Sequence, residues 1–122
     1  MHEEESIMTI DQFGHKKWRN KHGEFHRLDG PAIEYTNETK EWWYQGLKHR
    51  LDGPAIECKS GTKLWYKYGK LHCISGPAVQ CMTGAKNWWI RGQYFETKEA
   101  FFEALTPEEK EIALFSEDFL NA

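Results

Sequence analysis

The chain has 122 residues, 29% of them charged and 39% hydrophobic, which leaves room for one domain with one core. Without an apolar run of about 20 residues it offers no membrane-spanning helix. Its start, Met1-His2-Glu3-Glu4-Glu5, lacks the basic and apolar stretches of a secretory signal, so a soluble cytoplasmic protein is expected. Six Trp, five Tyr and seven Phe make 15% of the chain aromatic, and these rings are expected to supply most of the core. Cys58, Cys73 and Cys81 are odd in number and lack C-x-x-C spacing, which argues against a disulfide framework or a zinc knuckle and for reduced thiols.

A period of 23 residues organises the chain from Gly14 to Tyr94. A G-x-K-x-W phrase starts at Gly14, Gly61 and Gly84, with Glu38 in place of the glycine in the second unit, so that Trp18, Trp42, Trp65 and Trp88 correspond. The first interval is 24 residues, placing one extra residue near Arg19 to His22. Gly23, Gly46, Gly69 and Gly92 keep the period, and the nine residues His26 to Glu34 recur unchanged at His49 to Glu57 and loosely at His72 to Gln80. Short aromatic or β-branched runs, such as Lys40 to Tyr44 and Ala55 to Cys58, are bounded by Gly, Pro, Asp and Ser and predict strands joined by turns. Each unit reads as a β-hairpin, giving three units and a final strand.

From Glu96 the pattern changes. Thr97 caps a predicted helix carrying Phe101, Phe102 and Leu105. Thr106-Pro107-Glu108-Glu109 is a capping box that opens a second, with Ile112, Phe115 and Phe119 on one face. Residues 1–95 thus form the repeat array and 96–122 a helical cap for its open end, within one domain.

A 23-residue hairpin with a tryptophan strand and two turn glycines resembles the MORN repeat, and the phrase H-R-L-D-G-P-A-I followed by K-x-W-W or K-x-W-Y is most similar to MORN-like repeats of bacteriophage and large DNA virus proteins. The resemblance implies a mainly β, antiparallel hairpin array. It also implies a viral or phage accessory protein, expected to bind and modulate a host protein such as a defence factor, inhibition being one form of this, in the host cytoplasm. The usual MORN glycine after the histidine is here Arg27, Arg50 or Cys73, which argues against membrane roles.

Four residue sets are candidates for function. His26, His49 and His72 recur, but equivalent residues two strands apart lie about 10 Å from each other, too far to share a metal; each is expected to order its own loop. Arg27 and Arg50 either pair with Asp29 and Asp52, which would also bond the loop backbone, or form a row that meets phosphates and carboxylates. Trp42-Trp43, Trp65-Tyr66 and Trp88-Trp89 place rings on opposite strand faces. Trp42, Trp65 and Trp88 are assigned to the core, and Trp43, Tyr66 and Trp89 to an exposed strip that, with Arg27, Arg50 and His49, binds the partner.

Charge is uneven. Ser6 to Phe95 holds 14 Lys and Arg against 8 Asp and Glu, whereas the two ends hold 2 basic and 11 acidic residues. An acidic cap on a basic sheet accounts for this, so nucleic acid is not expected as a partner. A small nucleotide stacked on the strip is the alternative ligand. No nucleophile, P-loop or metalloprotease motif occurs, so neither an enzyme nor a cofactor is expected.

Overall fold

The computed structural model describes residues 5–122. The strands are β1 (Ile7–Ile10), β2 (Lys16–Arg19), β3 (Ile33–Glu34), β4 (Lys40–Glu41), β5 (Trp43–Tyr44), β6 (Leu47–Lys48) and β7 (Ile56–Glu57), followed by β8 (Lys63–Leu64), β9 (Tyr66–Lys67), β10 (Lys70–Leu71), β11 (Val79–Gln80), β12 (Lys86–Ile90) and β13 (Gln93–Phe95). Among the described residues, an antiparallel nine-stranded sheet runs β1-β2-β3-β4-β7-β8-β11-β12-β13, and β5-β6 and β9-β10 form separate hairpins. Helices α1 (Lys98–Ala104), α2 (Pro107–Leu114) and α3 (Glu117–Leu120) follow. None of the helices among these residues is long and apolar enough to cross a membrane.

The tryptophan of each repeat phrase marks where the chain leaves the main sheet. The Trp42 N–H donates to Ala55 O at 2.7 Å, while Trp42 O accepts from the His49 N–H at 3.1 Å. The strand therefore pairs with one neighbour before Trp42 and with another after it. Beyond this corner Gln45 and Gly46, with φ of 47° and 82°, make the two-residue turn of the β5-β6 hairpin, because both central positions of such a turn need positive φ. Tyr68-Gly69 and Arg91-Gly92 repeat it. Each turn glycine donates to the preceding unit, Gly46 to Phe25 O, Gly69 to Lys48 O and Gly92 to Leu71 O, so the hairpins form a second row beside the main sheet. In the first unit the extra residue widens the turn, and the Asn20 Oδ1 accepts from the N–H groups of His22 and Glu24.

At the opposite turns Gly14, Gly61 and Gly84 have φ of 87°, 105° and 96°, and Glu38 fills the same place at 74°. A side chain in this left-handed region costs about 1 kcal/mol. Glu38→Gly is accordingly expected to stabilise the protein by up to about 1 kcal/mol, seen as a rise in melting temperature that Glu38→Ala does not reproduce.

Three expectations are corrected. The fully buried apolar residues of the repeats include Ala32, Ala55, Ala78 and Pro77, whereas among the described repeat aromatics only Trp88 is buried. A strand unrecognised in the sequence, β1, pairs with β2 in register Ile7 to Arg19 and Ile10 to Lys16; its residues Ile7-Met8-Thr9-Ile10 carry no repeat phrase. The third difference lies in the cap. Thr97 accepts from the Ala100 N–H and the Thr106–Glu109 capping box is formed, but α2 ends at Leu114, so Phe115 is 90% exposed and Ile112 is also exposed. The turn after Phe115 instead brings Phe119, on α3, onto Trp88 with ring centroids 6.0 Å apart. Phe101, Leu105, Ala113 and Phe119 close over Trp88 and Ile90 as the buried cluster of the molecule.

Candidate functional site: grooves between the repeated loops

The loops with the H-R-L-D-G phrase are built by an arginine clamp. Arg50 stacks its guanidinium 3.8 Å above the Trp42 ring and donates to Asp52 Oδ1 at 3.1 Å, to the Pro54 carbonyl at 3.0 Å and to Glu57 Oε2 at 3.1 Å. Arg27 repeats this arrangement over Trp18, with Asp29, Pro31 and Glu34. A planar cation with five donors is the residue type that can satisfy a ring face, a carbonyl and two carboxylates together. A Cβ at Gly30 or Gly53 would stand 3.0 Å from the guanidinium carbon, so glycine is required there for close approach rather than for an unusual φ. Among the described residues the exposed Asp29 and Asp52 carboxylates accept from their arginines rather than from the loop backbone. In the third unit Cys73 and Ser75 replace the pair and lie 3.5 Å apart, and burial pushes the Cys73 thiol pKa up, which keeps it protonated and unreactive.

Each histidine serves the following unit rather than its own loop. The N–H groups of Gln45, Tyr68 and Arg91 donate to Nδ1 of His26, His49 and His72 at 2.9, 3.0 and 2.8 Å. Those donors are the positive-φ residues of the next hairpin turn. An Nδ1 that accepts must be unprotonated. Burial lowers the pKa of His49 and His72, Lys67 acts in the same direction on both, Arg91 adds to it at His72, and Glu109 opposes it there. Because the folded pKa lies below the unfolded value of about 6.5, the stability these groups contribute is present above that pH and is lost as pH falls through the folded value. The melting temperature is thus expected to drop between pH 7 and pH 5, and the double variant His49→Gln/His72→Gln, whose amide oxygen still accepts, to show a flatter profile. Among the described residues no group of three His, Cys, Asp or Glu side chains gathers at metal-binding range.

Between consecutive clamps the surface opens into a groove of about 770 Å³, lined by Arg27, Leu28, Arg50, Leu51, Trp42 and Trp43 among others. A second groove of about 510 Å³ is its counterpart one repeat on, with Arg50, Leu51, Ile74, Trp65 and Tyr66. The structure brings Trp43, His49, Arg27 and Arg50 together in the first groove and Arg50 with Tyr66 in the second. Lys48 Nζ lies between the two, 5.5 Å from the Trp43 ring and 5.2 Å from the Tyr66 ring. Trp89 stands apart, packed on Tyr94 with ring centroids 5.3 Å apart.

The two aromatic ladders do not divide into core and surface. Trp88 is 7% exposed, but Trp42 and Trp65 are half-buried, as are Trp43, Tyr66 and Trp89. The corner at each tryptophan removes the simple two-face alternation, and only at Trp88 does the cap supply an opposing layer. Sequence reasoning also passed over Leu28 and Leu51, which are 62% and 80% exposed at the groove walls. The signal was present, since a polar loop phrase that repeats unchanged keeps one leucine at its tip. Comparison with protein-family models, curated proteins and solved structures finds no match for the chain.

Proposed function

We propose that the chain is a non-catalytic interaction module of MORN-like hairpin repeats that binds another protein through the two grooves between its repeated loops, the resemblance of its repeats pointing to a viral or phage product acting on a host protein. The observation that carries this reading is the pair of leucines, Leu28 and Leu51, exposed beside half-buried tryptophans on loops that Arg27 and Arg50 brace through the Pro31 and Pro54 carbonyls. Apolar side chains exposed together beside aromatic rings form the kind of patch that marks a protein interface, with tryptophan and arginine as its strongest anchors. A nucleotide ligand is less well served, because the Arg27 and Arg50 guanidiniums already answer to Asp29, Glu34, Asp52 and Glu57.

The test is affinity capture from host lysate with the wild-type protein and with Leu28→Asp/Leu51→Asp, whose melting temperature should match because both side chains are exposed. A protein retained by the wild type and lost by the variant is the expected result. Equal retention by both would exclude the grooves.

A further inference from the structure

The groove occurs a third time, and there it is filled. Ile74 stands 23 residues after Leu51 and Trp88 stands 23 after Trp65, and both belong to the cluster closed by Phe101, Leu105 and Phe119 of the cap. The Trp88 ring lies 4.7 Å from that of Phe101. Where Arg27 and Arg50 cover Gly30 and Gly53, the backbone of α3 covers Gly76, and a Cβ there would come within 2.8 Å of Asp118 Cβ. The paired change to Cys73 and Ser75 makes room for it.

The occupant has a definite chemistry. Residues 96–122 present Phe101, Leu105 and Phe119 from short helices to the third copy, and the Arg91–Glu109 ion pair at 3.1 Å that also joins the two parts has Gln45 and Tyr68 in place of its arginine in the other units. The filled copy is continuous with an open one, because Asp118 also lines the second groove. We infer that the two open grooves receive amphipathic helical segments of a partner protein, anchored by a phenylalanine-sized side chain beside Trp42 and Trp65, in the manner of the chain's own cap beside Trp88. This rests on the protein-binding reading above and specifies the partner's chemistry. The guanidiniums over Gly30 and Gly53 exclude the close backbone approach seen at Gly76, so a partner helix would engage the leucine and tryptophan walls.

A synthetic peptide of residues 96–122, cross-linked between the exposed positions 99 and 103 and between 108 and 112 so that its first two helices persist in water, is titrated into the intact isotope-labelled protein and followed by nuclear magnetic resonance. The expected result is a saturable shift of the Trp42 and Trp65 indole N–H signals and of the Leu28 and Leu51 amides. A peptide with Phe101→Ala and Phe119→Ala should bind about tenfold or more weakly, and Leu51→Asp in the protein should remove the response in both grooves, which share that residue. No groove shift at millimolar peptide, or shifts confined to Trp88 or to Ile7–Ile10, would overturn the inference. If the groove variant still loses the captured protein in that case, the protein-binding reading survives and only the helical partner falls.

Discussion

Replacing Phe101 with alanine is expected to destabilise the protein by about 3 to 5 kcal/mol and to unseat the cap. Phe101 is fully buried and its ring meets those of Trp88, Phe95 and Phe119, with centroids 4.7, 6.5 and 6.2 Å away. Short helices of seven, eight and four residues cannot persist in water by propensity alone, so they depend on that cluster. Removing its central ring leaves a cavity that three helices tied by short turns cannot collapse to fill. Denaturant unfolding measures the loss, and Trp88 fluorescence should shift to longer wavelength as the indole becomes wet. Phe115→Ala is the control: that side chain is 90% exposed, so its removal should change stability by less than about 0.5 kcal/mol.

Arg50→Ala is expected to cost about 2 kcal/mol. It removes a stacked cation from Trp42, worth about 0.5 to 1 kcal/mol at a partly exposed site, and it takes a charged donor away from the Pro54 carbonyl and the half-buried Glu57. Arg50→Lys should restore less than half of the loss, since an ammonium cannot stack and reach both acceptors. The Asp52 arm contributes little, because that carboxylate is exposed and surface ion pairs are worth about 0 to 1 kcal/mol. Asp52→Ala should therefore remain within about 0.5 kcal/mol of the wild type. Thermal melts of the three variants decide the matter, and a larger effect for Asp52→Ala than for Arg50→Ala would reverse this assignment of roles.

Periodic features of the fold were legible in the sequence and features made by contacts between units were not. The identical phrases fix where strands, turns and glycines recur, and Glu38 was recognisable as standing in a glycine position because its three counterparts are glycine. The capping residues Thr97, Thr106 and Glu109 declare the helix starts by chemistry that acts over three or four residues. The histidine bonds escaped because each spans 19 residues into the next unit. Strand alternation misassigned Trp42 and Trp65 because it presumes a strand that continues straight, whereas these residues sit at corners. Phe115 seemed core by helical spacing, but α2 stops one residue earlier. At the site, the arginine and aromatic residues were visible as types, while the grooves exist only where consecutive loops face each other, which no single repeat reveals.

Hydroxyl-radical footprinting of the free protein and of its complex with the captured partner tests the central claim most directly. In the free protein Leu28 and Leu51 should be modified readily while Ile74, their half-buried counterpart against the cap, is modified less. In the complex Leu28 and Leu51 should become protected as well. Protection appearing at Ile7 and Ile10 on β1 or at Phe115 on the cap, with Leu28 and Leu51 as reactive as before, would contradict the assignment of the inter-repeat grooves as the binding surface.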